Sequence, residues 1–344
     1  MATPSLRLIR HRFRGSFIGG LVRPGIDQLL AGSGFFDELH VDRARGVMGP
    51  KLVANQLRPR RYDAALLLTN SFSTALITRL SGIPRRIGYD RDGRGLLLTD
   101  RVETPRRADG KWETIPAAEY YLNIAWRGLM DGQGVGRPEL PLMELGTTTA
   151  EEREADELLA RANIPPGTAL ALLNPGANDP AKRWPADRFA GLADHLAQAH
   201  NLRVLLNGSP GEADLVAGIA AACRVANPAQ LPALSINLGS LKAVIRRCRV
   251  MVTNDTGPRF IATAFGVPVV SLFGPTDHRW STVPARAPQT IVTADPTLPQ
   301  SQSANDHPDR CRIDRIELAA VAEACDQLLA AGAGTVQSRG FRPE

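Results

Sequence analysis

Aromatic residues make up only 5% of this 344-residue chain, and they are not interleaved with its basic residues. A nucleic-acid surface built on cationic stripes and stacking rings is therefore not indicated, and no nucleic-acid partner is expected. Cysteine is equally scarce. Cys223, Cys248, Cys311 and Cys325 are scattered and form no CxxC pair, which reads as reduced structural thiols rather than a disulfide framework or a thiolate metal site. Long apolar runs are missing too. Residues 261–273 come nearest to a membrane span, but Gly266 and Pro268 interrupt them. Residues 1–14 carry basic side chains without an apolar core, so they do not read as a signal peptide. No GxGxxG follows a strand pattern, which disfavours a nicotinamide-dependent oxidoreductase.

What is present fits an ordinary globular protein: 43% hydrophobic and 22% charged residues, in a chain long enough for two domains. The net charge of +6 is uneven. Residues 1–145 carry 22 Lys+Arg against 15 Asp+Glu, and the remainder 19 against 20. The basic half is either a solvated surface or a face for an anionic acceptor or an anionic membrane.

The chain is organised around residues 252–277, VTNDTGPRFIATAFGVPVVSLFGPTD. Residues 249–253 read as a buried strand, and 254–257 as turn and N-cap residues. Pro258 suits a first helical turn, where its missing N–H is no loss. Ile261, Ala262, Ala264 and Phe265 follow at helical spacing, Gly266 stops the helix, and residues 267–273 form a second strand. A parallel strand feeding a helix start presents free N–H groups at the carboxyl edge of a sheet, where phosphates bind.

Elsewhere strands and helices alternate, as in a doubly wound parallel sheet. In the first half, helices are predicted at 1–13 (Thr3 capping, Pro4 in the first turn), 24–30, 51–57, 72–80 and 114–129. Strands are predicted there at 16–22, 37–41, 62–68 and 85–89. Residues 132–141, rich in Gly and Pro, read as a linker. In the second half, helices are predicted at 149–162, 187–199, 212–222, 241–247 and 314–330, with further strands at 169–173, 203–207 and 290–293.

Three ordered motifs resemble glycosyltransferase family 9, the heptosyltransferases of the lipopolysaccharide inner core. They are Asn254-Asp255-Thr256-Gly257 with Leu272-Phe273-Gly274-Pro275-Thr276, Asn174-Pro175-Gly176-Ala177 with Ala181-Lys182-Arg183-Trp184-Pro185, and Gly208-Ser209-Pro210-Gly211-Glu212. DTG alone also occurs in aspartic proteases, but those need two such lobes in a β-rich chain. The resemblance continues through Gly20–Pro24, residues 36–39 and residues 82–89. It implies an α/β, GT-B fold, with two Rossmann-like parallel-sheet domains facing a cleft. The expected division is an acceptor-side domain over 1–140, a nucleotide-sugar domain over 141–332, and a disordered tail over 333–344.

The resemblance also implies roles. Lys182 and the backbone and hydroxyl of Thr256, with Gly257, would hold a diphosphate. Asn178 would donate to a phosphate or to the sugar. Asp255 is either a sugar or ribose contact or a helix N-cap. Glu212 is either a ribose-binding acid or a favourable charge at a helix start. Apart from the resemblance, Arg60, Arg61, Arg85, Arg86 and Arg94 lie in the basic half; each reads by default as surface charge, and some could hold carboxylates or phosphates of an anionic acceptor. Phe260 stands where the family usually has His, and His278 reads either as a structural or solvent-facing loop histidine or as a substitute donor near the site.

Family members open with a strand and a Gly-Asp loop whose Asp acts as base, whereas this sequence opens at Met1-Ala2-Thr3-Pro4-Ser5-Leu6, resembling the helix that follows. The first strand and the base Asp are expected to be missing, about 15–20 residues in all, through a misassigned start or genuine loss. No catalytic residue is therefore assigned, and Asp27 and Asp37 are expected to be structural. The implied chemistry is inverting transfer of heptose from ADP-heptose to a lipopolysaccharide core-type acceptor, without cofactor or essential metal. It would take place in the cytoplasm, with peripheral contact at the inner face of the inner membrane. The alternatives are another nucleotide-sugar donor, or a catalytically inactive nucleotide-sugar-binding protein.

Overall fold

The computed structural model describes residues 1–106, 113, 115–131 and 136–333. It divides into two compact units, one of Met1–Met143 with Arg279–Pro284, the other of Glu144–His278 with Ala285–Glu344. The first unit thus extends to Met143 rather than residue 140 and takes in a late segment that the sequence reading gave to the second domain. The Met143 N–H donates to the Pro284 carbonyl (3.4 Å), and the Trp280 ring lies 6.1 Å from that of Tyr120. The expected tail beyond residue 333 and part of the expected linker lie outside the described residues.

In the first unit, α1 (Thr3–Arg12), β1 (Gly19–Val22), α2 (Ile26–Leu30), β2 (Glu38–Val41) and α3 (Gly49–Leu57) are followed by β3 (Ala64–Leu67), α4 (Phe72–Leu80), β4 (Arg85–Tyr89), β5 (Asp100–Val102) and α5 (Ala117–Leu129). The strand β5 is absent from the sequence reading because three residues, DRV, carry no period to detect. Thr3 does not cap α1; Ala2 is the N-cap, and Thr3 is the first helical residue.

All pairings are parallel, but they form two sheets, β1-β2 and β3-β4-β5, instead of the single sheet expected. Among the described residues, no ladder joins β1 to β3. Tyr62, at the entry to β3, crowds Gly19 so closely that a Cβ there would lie 1.9 Å from its hydroxyl. The same hydroxyl bonds His40 Nε2 at 2.8 Å. Under α5, the Tyr89 and Tyr120 rings stack at 4.2 Å, and the Tyr89 hydroxyl donates to the Tyr120 carbonyl.

The second unit contains α6 (Thr149–Arg161), β6 (Leu170–Asn174), α7 (Ala186–His200), β7 (Arg203–Leu206), α8 (Ala213–Ala222), β8 (Ala229–Gln230), α9 (Leu238–Arg246), β9 (Cys248–Asn254), α10 (Gly257–Phe265), β10 (Val269–Phe273), β11 (Gln289–Thr293) and α11 (Leu318–Ala333). Its sheet is parallel throughout, in the order β11-β10-β9-β6-β7-β8. Every residue of β6 and β10 is buried, as expected for strands covered on both faces. Gly266 caps α10 at φ +70°, a conformation that costs a residue without Cβ little, and so turns the chain into β10. At the start of α6, Thr148 and Glu151 form a reciprocal capping box.

Candidate nucleotide-sugar site

The chain leaves β6 toward β7 and β8 on one side, then returns to build β9, β10 and β11 on the other. The order therefore reverses between β6 and β9. The carboxyl ends of those two strands form a topological switch point, where open α/β sheets bind ligands. Both strands end on asparagine. Asn174 Nδ2 donates to Thr256 Oγ1 (3.0 Å), and Asn174 Oδ1 accepts from Asn207 Nδ2 (2.6 Å), just beyond β7. Asn254 Nδ2 donates to the Pro175 carbonyl (2.7 Å), and Asn254 Oδ1 accepts from the Trp184 N–H (3.3 Å). These three buried amides fix the loops that follow three adjacent or near-adjacent strands. The sequence reading placed Asn254 among turn and N-cap residues and Asn174 in a motif, and missed the network the three form, although a polar residue ending each of three apolar strands was the available signal.

The loop after β6 is anchored at its far end. Trp184 is 2% exposed, donates from Nε1 to the Ile316 carbonyl (2.8 Å), and meets Phe189 edge-on at 5.0 Å. Arg183 Nε donates back to the Ala177 carbonyl (2.9 Å). The intervening turn presents Lys182, whose Nζ stands 3.5 Å from Asp255 Oδ2, while the same carboxylate oxygen accepts from Thr276 Oγ1 (3.3 Å). Asp255 therefore does not cap α10. The N-cap is Thr256, with no side-chain cap bond.

The Thr256 hydroxyl is itself engaged, receiving from Asn174 and lying 3.3 Å from the Asn254 carbonyl. The diphosphate role expected of this hydroxyl would require a phosphate oxygen to join or replace these bonds, whereas the backbone N–H groups at the start of α10 have no side-chain cap bond. Nothing lies within 4 Å of a Cβ built on Gly257, so the helix start is open to an approaching group. Asn178 is exposed on the same loop.

Glu212 closes another side of this edge. Its Oε2 accepts from both the backbone N–H and the hydroxyl of Ser209, each at 2.8 Å, which is the helix-start arrangement. The carboxylate also lies against Gly176, where a Cβ would be 2.2 Å from Oε1. Lys182, Asp255, Glu212 and the start of α10 are thus gathered around one strand edge. The Arg259 guanidinium, 1% exposed, lies over the Phe260 ring at 5.3 Å and the Phe273 ring at 5.2 Å; its burial holds its pKa below the usual arginine value. His278 packs edge-on against Phe273 at 5.9 Å, consistent with a structural role.

The arginines named as acceptor candidates lie in the first unit. Arg85 and Arg86 open β4, and Arg60 and Arg61 precede β3, so all four lie at the amino ends of parallel strands, away from the carboxyl edge of their own sheet. Arg85 bonds Asp100 (2.9 Å) and the Gly128 carbonyl (2.8 Å), and Arg86 bonds the carbonyls of Leu97 (2.8 Å) and Ile83 (2.6 Å). Arg60 pairs with Glu38 at 2.6 Å, and Arg61 takes a left-handed conformation at φ +48°. Arg94 does reach the carboxyl edge, fully buried, donating to the carbonyls of Tyr89 and Thr69 and to Asn70 Oδ1. Asp37 accepts from Arg10 (2.8 Å) and the Ile18 N–H (2.7 Å), and Asp27 accepts from the Gly25 N–H (2.7 Å), so both serve local structure.

The model of glycosyltransferase family 9 (heptosyltransferase) matches residues 52–307. The chain belongs to this family. Lipopolysaccharide heptosyltransferase 2 of Escherichia coli K12 is 31% identical over 230 residues, which are 65% of this chain and 63% of the relative. The matched stretch thus spans somewhat less than two thirds of that relative's length. The lipopolysaccharide core heptosyltransferase OpsX of Haemophilus influenzae is 26% identical over 240 residues, 67% of this chain and 62% of its own. Among solved structures, a glycosyl transferase family 9 protein from Veillonella parvula superposes with TM-score 0.79 at 21% identity, covering 96% of this chain and 93% of its own. E. coli ADP-heptose lps heptosyltransferase II superposes with TM-score 0.78 at 24% identity, covering 96% and 95%. The family-9 chain therefore has the α/β GT-B fold of these neighbours, with parallel sheets. Among the described residues, no helix is long and apolar enough to cross a membrane.

Proposed function

We propose that this chain is an inverting glycosyltransferase that moves heptose from ADP-heptose to a lipopolysaccharide core-type acceptor. The observation that carries the reading is the grouping of Lys182, Asp255 and the start of α10 at the β6/β9 switch point. The departing nucleoside diphosphate gathers negative charge as the glycosidic bond breaks. A lysine ammonium and helix-start N–H groups are suited to stabilise it. Lys182 would move from Asp255 to the diphosphate, freeing the Asp255 carboxylate for a sugar or ribose hydroxyl. Glu212 would hold ribose hydroxyls, and Asn178 would reach a phosphate or the sugar. The donor assignment is supported by a neighbour of related fold, the E. coli heptosyltransferase WaaC with ADP-2-deoxy-2-fluoro heptose, TM-score 0.66 at 17% identity over 95% of this chain and 94% of its own. The acceptor is an anionic lipid-linked glycan. The basic first half of the chain supports work at the inner face of the inner membrane, on the cytoplasmic side.

A second reading, a nucleotide-sugar-binding protein without transfer, is favoured by one observation: Asp27 and Asp37 are both held in local bonds, leaving neither free as a base. Transfer from ADP-heptose to a core acceptor, measured beside ADP binding by calorimetry, separates the two. Transfer with binding supports the enzyme, and binding alone supports the second reading. A folded chain that does neither overturns the donor assignment.

A further inference from the structure

On the second unit, away from the loops just described, α7 and α11 bring three potential metal ligands together. His195 Nε2 lies 2.8 Å from Asp326 Oδ1, and His200 Nε2 lies 2.6 Å from the same oxygen. The imidazole rings are 5.8 Å apart and meet edge-on. One donor atom from each residue falls within 4.8 Å of the other two. His200 is the last residue of α7, before Asn201 turns the chain at φ +51°, so its ring joins that of His195 across a spacing of five rather than the usual four. Each side chain is between a quarter and a half exposed, which leaves an entry path.

We propose that His195, His200 and Asp326 form a site for a divalent transition cation of the Zn²⁺ type that ties α7 to α11. Two imidazole nitrogens and one carboxylate oxygen make a common protein ligand set for this ion, completed by water at the fourth position of a tetrahedron. Ligand bonds of about 2.0–2.2 Å in a tetrahedron set donors about 3.4 Å apart, so the imidazole nitrogens, now 2.8 and 2.6 Å from Asp326 Oδ1, draw back from it by roughly half an ångström or more to admit the ion. The hard, oxygen-seeking ions Ca²⁺ and Mg²⁺ are poorly matched to two imidazoles. The role is structural. The ligands sit on the carboxyl-terminal half of α7, whose opposite end adjoins Trp184 and Lys182, and α11 packs onto the same core as α7.

The test is titration of the untagged full chain with ZnCl₂ by calorimetry at pH 7.5, with thermal unfolding alongside. One ion per chain is expected, with a midpoint rise of about 5 °C at hundredfold excess over Kd. In Asp326→Asn and His200→Asn, affinity should fall by at least about tenfold and the midpoint rise should disappear. His200 and Asp326 are solvent-accessible, so these variants are expected to fold; circular dichroism checks this, and Glu323→Gln on α11 serves as a control that keeps binding. No saturable binding to the wild-type chain overturns the proposal, and so does binding that survives both ligand substitutions. Because the readout is binding and stability rather than transfer, it stands or falls independently of the donor-site reading.

Discussion

Lys182 Nζ stands 3.5 Å from Asp255 Oδ2, and both side chains are largely but not fully covered. An ion pair of this length between partly solvated groups is weak, so a diphosphate can compete for the ammonium. A charged hydrogen bond to phosphate is worth about 1.5–3 kcal/mol, or roughly 10- to 150-fold in affinity. Lys182→Ala is therefore expected to weaken ADP binding within that range while leaving the unfolding midpoint nearly unchanged. Asp255→Asn removes the competitor for Lys182 together with the carboxylate proposed for a sugar or ribose hydroxyl, so ADP binding at least as tight as wild type assigns that hydroxyl to the transferred sugar, and weaker binding assigns it to the ribose. Calorimetric titration of both variants checks the pair. Wild-type affinity in Lys182→Ala would remove this lysine from the donor site.

Gly176 and Glu212 are coupled by space. A methyl group on residue 176 would lie 2.2–2.4 Å from all three atoms of the Glu212 carboxylate. Because that carboxylate ends a flexible chain, Gly176→Ala is expected to push it off Ser209 rather than unfold the loop. The lost capping bonds cost about 1 kcal/mol. If Glu212 holds ribose, ADP affinity falls together with stability, and Glu212→Ala reproduces both losses. A drop in stability with no change in ADP affinity would leave Glu212 as a helix-start residue alone.

The second unit was the more legible in the sequence because its motifs sit on long apolar strands with turn residues at their ends. The strand at 249–253, the Pro258 helix start and the Gly266 stop all appear in the structure within a few residues. What escaped was long-range. Nothing in the spacing shows that Asn174 and Asn254 meet Thr256 and Trp184, because those contacts span 70–82 residues. The surroundings of the acceptor-candidate arginines were hidden for a related reason. Composition shows that the first half is basic, but not which end of a parallel strand a given arginine occupies. Arg85 and Arg86 open β4 and are tied to carbonyls there, whereas Arg94 follows that strand and reaches its carboxyl edge. In the first unit the short DRV strand and the split between two sheets depend on pairing partners, which no local pattern encodes.

Lys242 of α9 is completely buried, 3.1 Å from Glu151 Oε2 of α6. Burial lowers its pKa, partly offset by the hydrogen bond and charge of Glu151. Removing one member of such a pair strands the other charge in the interior, so Lys242→Ala is expected to destabilise the second unit by about 3–5 kcal/mol. Lys242→Met with Glu151→Gln removes both charges and keeps the volume, and should recover much of that loss. Urea unfolding of the single and double variants measures it. A double variant as unstable as Lys242→Ala would show that the carboxylate matters for its capping bond to Thr148 rather than for the lysine.

The thiols give the chain a pH limit on the alkaline side. Burial pushes Cys248 and Cys325 up to about 12, with Asp326 adding to the shift at Cys325, and burial with nearby Asp194 pushes Cys223 to about 11. Cys311 is raised as well, first by its burial. Each folded pKa lies above the ordinary thiol value of 9.0, so the folded state favours the protonated form. That contribution is complete below about pH 9, and it is lost progressively as pH rises from there toward 11 and 12, because the unfolded chain gives up those protons first. Stability should therefore fall above pH 9 in urea titrations, and a variant with Cys248→Ala and Cys325→Ala should show a shallower fall. At pH 8 the folded chain should react slowly with a thiol reagent, and four thiols should appear when it is unfolded in denaturant. Rapid labelling of Cys248 or Cys325 in the folded chain would show that these two sites open to solvent far more readily than their packing allows.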